Sequence, residues 1–220
     1  MTLHPPVRAR CLRCFRAMRS CICALAQTVP HQVELLILMH PQEVNEAKGT
    51  GHLLHLCLPH SRLLVGEAFD ADLLNAALHG AWDDETDKPR HSLLLYPETA
   101  QQDAALGLLT AAPLPEPWPC PLQDRHSLRL VVLDGTWRKS RKMLYQNAAL
   151  QALPRLALQD VPDSQYRIRK AHLPGQLSTF EAATQALAQL EGWEPQSPPV
   201  QALSEVFQHL MDSLQPQFGQ

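Results

Sequence analysis

Short, largely apolar runs constrain the fold of this chain more than any other feature of its sequence. The five runs lie at residues 33–39, 62–66, 91–97, 128–134 and 155–158, and the first and fourth read VELLILM and LRLVVLD. Each run is too short for a helix, and its continuous apolar character predicts a strand that is buried on both faces. Strands of this kind belong to a parallel sheet that helices cover on both sides.

Helical patterns separate the five predicted strands. Asp70 or Asp72 can cap one helix, and Ser178 with Glu181 has the S-x-x-E spacing of a capping box that opens another. The predicted helices cover residues 51–58, about 70–80, 99–111, a segment from about 136, 178–192 and 198–214. This alternation predicts an α/β domain with a mostly parallel sheet.

The carboxyl ends of the predicted strands are the expected place for a ligand, because open α/β sheets bind their ligands beyond that edge. His40, Pro97 and Asp134 would lie there. His40 is a conceivable acid–base group, although the chain has 11 histidines and a packed or surface role is more common for one of them.

Composition narrows the class of protein. Hydrophobic residues make up 45% of the 220, which is enough for a core. No run of about 18 apolar residues predicts a membrane span, and no apolar segment at the start predicts a secretory signal, so we expect a cytoplasmic protein. The net charge is −3, but cations cluster at residues 8–19, 138–142 and 167–170. Segregated charge of this kind can form a basic face on a mildly acidic protein.

Four cysteines near the start have the spacing C-x2-C-x6-C-x-C, at Cys11, Cys14, Cys21 and Cys23. Four thiolates can hold one structural zinc ion tetrahedrally. Disulfides or reduced structural thiols are the alternative, and disulfides fit poorly with a chain that lacks a secretory signal. An iron–sulfur cluster is a third possibility, which two close cysteine pairs make less favourable. We therefore expect a zinc-binding module over residues 1–30, followed by a larger domain over residues 31–220.

The stretch DGTWRKSRKM, residues 134–143, brings a carboxylate out of the fourth strand directly before a basic helix. Helical spacing places Trp137 on the packing side with Ser140, Met143, Leu144 and Ala148, and it groups the cations with an aromatic ring on the other side, at Arg138, Lys139, Arg141, Lys142 and Tyr145. The basic side suits phosphates and a stacked base. The alternative is a solvated helix face, although no glutamate stands four residues before a lysine to support it.

Asp134 has two interpretations at this stage. It can cap the basic helix, as aspartates often do, although Thr136 can also serve as the cap. Alternatively, it presents a carboxylate to a ligand at the sheet edge.

The ordered motifs between Cys11 and Leu190 resemble the DTW-domain family. They are the four-cysteine pattern, HPQE followed by TGHLL, LLLYP, DGTWRKSRKML, LPRLAL, YRIRKA and LSTFEA. Bacterial members of that family are tRNA-uridine aminocarboxypropyltransferases. The resemblance implies transfer of the 3-amino-3-carboxypropyl group of S-adenosylmethionine to N3 of a uridine in the variable loop or D loop of tRNA, with release of methylthioadenosine. It also implies a SPOUT-like α/β fold with a C-terminal trefoil knot.

The resemblance also implies roles for single residues. Asp134 would be the general base or the group that positions uridine, because N3 carries a proton that must leave before attack. Trp137 would stack in the substrate or cofactor pocket, unless it packs in the core. S-adenosylmethionine would lie against Tyr96, Pro97, Leu133, Gly135, Thr136, Leu173, Gly175, Leu177, Ser178 and Thr179. The tRNA would meet Arg138, Lys139, Arg141, Lys142, Arg167, Arg169 and Lys170.

Two further expectations concern the helix that Ser178 opens. Its N-terminal amides could bind the carboxylate of the methionine moiety, whereas Glu181 is expected simply to complete the capping box.

Two competing functions stay open for the whole chain. One is an S-adenosylmethionine-dependent RNA methyltransferase, and the other is a non-catalytic, zinc-containing RNA-binding protein.

Overall fold

The computed structural model describes residues 9–82, 90–97, 107, 109–114, 122–158, 164 and 177–218. These residues form one five-stranded sheet of order β2-β1-β4-β3-β5. Each of its four strand pairings is parallel, which confirms the predicted α/β class and the parallel sheet. The strands are β1 Glu34–Met39, β2 Ser61–Val65, β3 His91–Leu95, β4 Leu128–Asp134 and β5 Arg155–Leu156.

Six α-helices lie in the described part of the chain: α1 Gly51–Cys57, α2 Ala71–His79, α3 Trp137–Gln146, α4 Ala148–Gln151, α5 Thr179–Glu191 and α6 Pro198–Phe218. Short 3-10 segments occur at Met18–Ser20, Cys23–Leu25, Pro41–Glu43 and Leu122–Ser127. None of the described helices combines the length and the apolar character that crossing a bilayer requires. The helix predicted at residues 99–111 falls largely outside the described residues, and residues 109–111, at its predicted end, are not helical.

The central strands β1 and β4 are buried at every position, as continuous apolar runs require. Side chains on one face of the sheet pack against α1, α5 and α6, in a cluster that includes Leu53 and Phe180. Side chains on the other face pack against α2, α3 and α4, in a cluster that includes Leu74 and Met143. The sheet is therefore covered on both sides, and β2, at one edge, is only partly buried.

Three elements end earlier than the sequence pattern predicts. The third strand ends at Leu95 and the fifth at Leu156, so both are shorter than the apolar runs that predicted them. The basic helix ends at Gln146, and Ala148, which was expected on its packing side, begins α4 and is exposed. Asn147 causes this break, because its side-chain amide donates to Met143 O at 2.6 Å and its backbone is extended (φ −123°, ψ 95°).

A buried ion pair joins the amino ends of β1 and β4. Arg129 has no exposed surface, and its Nε donates to Glu34 Oε2 at 2.8 Å. The same guanidinium donates to the carbonyl oxygens of Ala77 and Gly80 and lies 4.0 Å from the centre of the Trp82 ring. These partners compensate for the desolvation of the charge, which explains how a strand interior can hold an arginine.

The connections that leave β1 and β4 run to opposite faces of the sheet. The chain after β1 enters α1 on one face, and the chain after β4 enters α3 on the other. Parallel sheets have a crevice where neighbouring strands diverge in this way, and ligands bind there. This crevice lies at the carboxyl ends of β1 and β4, where His40 and Asp134 are found.

Candidate functional site

Asp134 ends β4 at this crevice and is only 4% exposed. Its backbone oxygen accepts a hydrogen bond from His40 N at 2.9 Å, which continues the backbone hydrogen bonding between β1 and β4 to their carboxyl ends. The strand that carries Asp134 is buried at every position, so its carboxylate is attached to a closely packed part of the sheet.

The side chain of Asp134 does not cap α3. Thr136 is the N-cap, and its hydroxyl accepts from Lys139 N at 3.4 Å. The carboxylate instead turns towards α5, where the hydroxyl of Thr179 donates to Oδ1 at 2.7 Å. The helix-cap interpretation of Asp134 is therefore wrong, and the ligand interpretation remains.

The N-termini of α1 and α5 meet beside this carboxylate. Thr50, immediately before α1, accepts from Phe180 N in α5 at 3.2 Å. Ser178 accepts from Glu181 N at 3.2 Å, and Glu181 Oε2 accepts from Ser178 N at 2.8 Å, which confirms the predicted capping box. The amides of Phe180 and Glu181 thus already donate to protein oxygens, so the binding of a substrate carboxylate by the amides at the start of α5 stays a prediction.

Trp137 begins α3 and is 51% exposed, so the expectation that it packs in the core is wrong. Its ring meets the buried Tyr96 edge-on, with 5.7 Å between the ring centres and 71° between the planes. Tyr96 is held in turn by the guanidinium of Arg155, 5.6 Å from its ring centre. The indole ring therefore packs against a buried side chain at the carboxyl end of β3, and about half of the Trp137 surface stays exposed.

The other residues expected around the cofactor converge on the same edge where the structure describes them. Tyr96 and Pro97 follow β3, Leu133 lies at the end of β4, and Leu177 leads into α5 through Ser178 and Thr179, as Gly135 and Thr136 lead into α3. Leu173 and Gly175 lie outside the described residues, as do Arg167, Arg169 and Lys170 of the expected RNA-binding set.

Gly135 is favoured by the packing of the helix that follows it. A Cβ atom built there would lie 3.1 Å from the Cβ of Lys139 and 3.5 Å from Ser140 Oγ. The tight turn into α3 therefore leaves little room for a side chain, whether or not a ligand is bound.

The exposed side of α3 has acidic partners that sequence spacing did not reveal. Lys139 Nζ lies 2.7 Å from Glu43 Oε1, and Lys142 Nζ lies 2.8 Å from Glu67 Oε2. The expectation of four cations without matching acids is therefore wrong for these two. Arg138 and Arg141 are both exposed, and with Tyr145, 60% exposed, they form the outward surface of the helix.

His40 is packed, as the count of histidines suggested. It is 6% exposed, its Nδ1 accepts from Gln42 N at 3.2 Å, and its Nε2 lies 2.9 Å from Glu67 Oε1. Because Nδ1 accepts, we assign the proton to Nε2, which donates to the carboxylate. The pKa of Glu67 lies below its ordinary value because Lys142 and then His40 donate to its carboxylate.

The four N-terminal cysteines are brought together. Their sulfur atoms all lie within 4.8 Å of one another, with 3.6 Å between Cys11 and Cys23 and 3.7 Å between Cys14 and Cys21. A tetrahedral zinc ion with Zn–S bonds of about 2.3 Å needs sulfur–sulfur distances of about 3.8 Å. The described cysteines are free, so the disulfide alternative does not hold for this set, and the donors fit one structural metal ion.

The acidity of these thiols is uneven. Hydrogen bonds from the backbone at Cys14 and then Arg13 lower the pKa of Cys11 to about 6, and burial raises the pKa of Cys23 to about 12. A metal ion that binds all four must therefore displace protons from the more basic thiols.

The cysteine cluster is attached to the sheet domain by two of its arginines. Arg16 is buried and donates to Gly49 O at 2.7 Å, and Arg10 donates to the side chain of Asn45. Cys14 and Ile22 belong to the same apolar cluster as α5 and α6. Arg16 therefore has a structural role, and it does not join the basic surface that the clustered charge suggested.

A cavity of about 340 Å³ lies elsewhere, at the amino ends of β3 and β5, where Arg90 and Pro154 line it. Asp134 is at the opposite edge of the sheet, so this cavity contributes nothing to the site around the carboxylate.

The model of the DTW domain family matches residues 8–215. The chain belongs to the DTW-domain family. It is similar to proteins named tRNA-uridine aminocarboxypropyltransferase 2. The Mus musculus protein is 27% identical over 196 residues, which is 86% of this chain and 58% of that protein. The Drosophila melanogaster protein is 31% identical over 195 residues, 85% of this chain and 68% of that protein.

A Macaca fascicularis protein of the same name is 27% identical over 192 residues, 84% of this chain and 57% of that protein. The chain therefore spans less than two thirds of the length of the mouse and macaque proteins. No solved structure matches it.

Several side chains at the site of this DTW-domain protein gave no sequence signal of their role. Glu43 and Glu67 pair with α3 from segments far away in the chain, and Thr179, which the family resemblance assigned to the cofactor, contacts the carboxylate of Asp134. Local spacing predicts neighbours within one helix or strand, whereas these contacts depend on how elements pack.

Proposed function

We propose that this chain is a tRNA-uridine aminocarboxypropyltransferase that uses S-adenosylmethionine and modifies N3 of a uridine in the variable loop or D loop. The observation that supports it most is the buried Asp134 carboxylate, held at the ligand-binding edge of the sheet in a member of the DTW-domain family. The names of the animal relatives agree with this activity.

Asp134 has the chemistry that the reaction requires. Uridine N3 becomes a nucleophile when its proton is removed, and a positioned carboxylate can take that proton. A bond then forms between N3 and the methylene carbon next to sulfur, the bond between that carbon and sulfur breaks, and the electron pair stays on sulfur in methylthioadenosine. Three carbons flank the sulfonium, so the protein selects the product by orienting the aminocarboxypropyl chain towards N3.

The S-adenosylmethionine site is proposed where the loops after β3 and β4 meet the start of α5. Tyr96 and Pro97, Leu133 to Thr136 and Leu177 to Thr179 gather there, and Leu173 and Gly175 are assigned to it by resemblance. The same resemblance supports a SPOUT-like arrangement with a knot. The open face of Trp137 suits stacking with the uracil or adenine ring.

The tRNA surface is proposed to centre on the outward side of α3. Arg138 and Arg141 are exposed there, between the rings of Trp137 and Tyr145. Cations hold phosphates, and aromatic rings stack on unpaired bases. Lys139 and Lys142 contribute charge while they also hold Glu43 and Glu67, and Arg167, Arg169 and Lys170 extend the surface by resemblance.

The cysteine cluster is proposed to hold one zinc ion through Cys11, Cys14, Cys21 and Cys23. All four positions would come from the protein, so the metal supplies structure and leaves no open position for catalysis. Residues 1–30 would then be a zinc-stabilised module attached to the catalytic domain.

The test uses unmodified tRNA and two preparations of S-adenosylmethionine, labelled on the methyl carbon or on the carboxyl carbon. Carboxyl label in the RNA without methyl label supports the proposal. Methyl label alone identifies an RNA methyltransferase and contradicts the proposal. Binding of tRNA without transfer of either label identifies a non-catalytic RNA-binding protein.

A further inference from the structure

The carboxylate of Asp134 is held between two segments that are distant in sequence. On one side, Thr179 Oγ1 donates to Oδ1 at 2.7 Å. On the other side lies Gly51, where a Cβ atom would sit 2.3 Å from Oδ2 and 2.8 Å from Cγ. The carboxylate therefore occupies the space that any side chain at position 51 would need.

These two contacts are fixed to each other. Thr50, next to Gly51, accepts from the amide of Phe180, next to Thr179, at 3.2 Å. Phe180 is 1% exposed and its ring stacks on Phe207 of α6, with 5.4 Å between the ring centres. The two sides of the carboxylate are thus joined to each other and packed in the same core.

We propose that Thr179 and Gly51 are positioning residues for Asp134, and this inference rests on the proposed function. The hydroxyl of Thr179 fixes the rotation of the carboxylate, and the missing side chain at Gly51 sets how deep it lies. Thr179 then acts through Asp134, in contrast to the direct cofactor contact that the family resemblance implied.

The two roles of Thr179 predict different kinetics. A cofactor contact contributes to affinity, so its loss raises KM and the dissociation constant for S-adenosylmethionine. A positioning residue contributes to the orientation of the base, so its loss lowers kcat and leaves affinity unchanged. A misplacement of about 1 Å can cost about 100-fold in rate.

Thr179→Val removes the hydroxyl and keeps the shape of the side chain, and Thr179→Ser keeps the hydroxyl. We expect Thr179→Val to lower kcat by about 10- to 100-fold. The affinities for S-adenosylmethionine and tRNA, measured directly, should stay within about twofold, and Thr179→Ser should recover most of the rate.

Thr184→Val is the matched control. Thr184 lies in the same helix and is 7% exposed, and its hydroxyl has no hydrogen-bond partner among the described residues. The substitution therefore makes the same chemical change without loss of a contact, and kcat should stay within about twofold. Thermal unfolding of both valine variants reports whether either has lost its fold.

Gly51→Ala provides a second, independent variant. Its methyl group would overlap Asp134 Oδ2, so the carboxylate must move, and kcat should fall by at least as much as in Thr179→Val. This variant keeps the Thr179 hydroxyl, and a loss here shows that the position of the carboxylate matters.

The outcomes separate the inference from the proposed function. If the unchanged chain transfers no carboxyl label, the proposed function fails. If it transfers label and Thr179→Val turns over normally, or loses only affinity for S-adenosylmethionine, the positioning role is overturned. An unchanged kcat in Gly51→Ala overturns the role of Gly51.

Discussion

Asp134 and Thr136, two residues apart at the end of β4, bind different partners. Thr136 satisfies the amide of Lys139 at the start of α3, which leaves the carboxylate of Asp134 for another partner. One side-chain acceptor is enough to cap the start of a helix. A second acceptor at the same turn can therefore bind another group. The carboxylate is therefore a candidate for chemistry because its neighbour already provides the cap.

At the residue scale, Asp134→Asn should abolish most turnover. The amide keeps the size of the side chain but cannot accept the N3 proton, and loss of a general base typically costs about 100- to 10,000-fold. Single-turnover transfer of carboxyl label measures the rate, and the affinities for tRNA and S-adenosylmethionine should be retained.

Asp72→Asn is the control for this change, because it makes the same substitution at an exposed aspartate in the first turn of α2, whose described hydrogen bond is donated by its backbone amide within that turn. Full activity in Asp134→Asn would remove this carboxylate from the chemistry.

Helix α3 serves two surfaces at once. Met143 and Leu144 pack beneath it, while Lys139 and Lys142 reach to Glu43 and Glu67 in the segments after β1 and β2. Arg138 and Arg141 project to solvent. The positive charge on the helix is thus split between holding neighbouring segments and facing outward.

At the element scale, charge reversal at both Arg138 and Arg141 should weaken tRNA binding and reduce its salt dependence. Each lost phosphate contact lowers the slope of log affinity against log salt by about 0.7 to 0.9. Binding titrations between low and high salt measure both quantities, and Lys142→Gln should change the slope less. Equal slopes in the double variant and the unchanged chain would rule out this surface.

The ion pair at the other edge of the sheet makes a prediction about stability. Arg129→Met leaves Glu34 buried without its main partner, and the free energy of unfolding should fall by about 3 to 5 kcal/mol. Arg90, 3.2 Å from Glu34, compensates in part. Urea unfolding measures the change, and a second substitution, Glu34→Met, should restore much of the loss. Arg138→Met, on the surface, should stay within about 0.5 kcal/mol.

At the scale of the whole molecule, the cysteine cluster is part of the apolar core on one face of the sheet. Cys14 and Ile22 pack in the cluster that holds α1, α5 and α6. If the cluster holds a metal ion, its loss would leave the thiolates beside that core uncompensated or would require them to take up protons.

Metal removal is therefore expected to lower the melting temperature of the whole chain. Native mass spectrometry should show one zinc ion, which Cys14→Ala should lose and Cys57→Ala, at a buried thiol outside the cluster, should keep. Burial raises the pKa of Cys23 to about 12, so protons compete with the metal at neutral pH, and zinc affinity should increase as the pH rises. A folded, metal-free chain with an unchanged melting temperature would contradict the zinc assignment.

Much of this architecture can be predicted from local patterns. The continuous apolar runs predict β1 and β4, and the S-x-x-E spacing predicts the capping box of α5, because both signals arise within one element. The contact of Asp134 with Thr179 cannot be predicted in this way, since it joins a strand and a helix that are 45 residues apart. The pairing of Lys139 with Glu43 cannot be predicted from local patterns for the same reason.

The bond from Arg16 to Gly49 has a consequence for a cell that is short of zinc. Arg16 lies within the cysteine cluster, and Gly49 is two residues before Gly51, which sets the depth of the Asp134 carboxylate. If the cluster holds zinc, as proposed, a chain made without metal should lose the anchor of that loop, and we expect the supply of zinc to limit how much of the protein can carry out the proposed reaction.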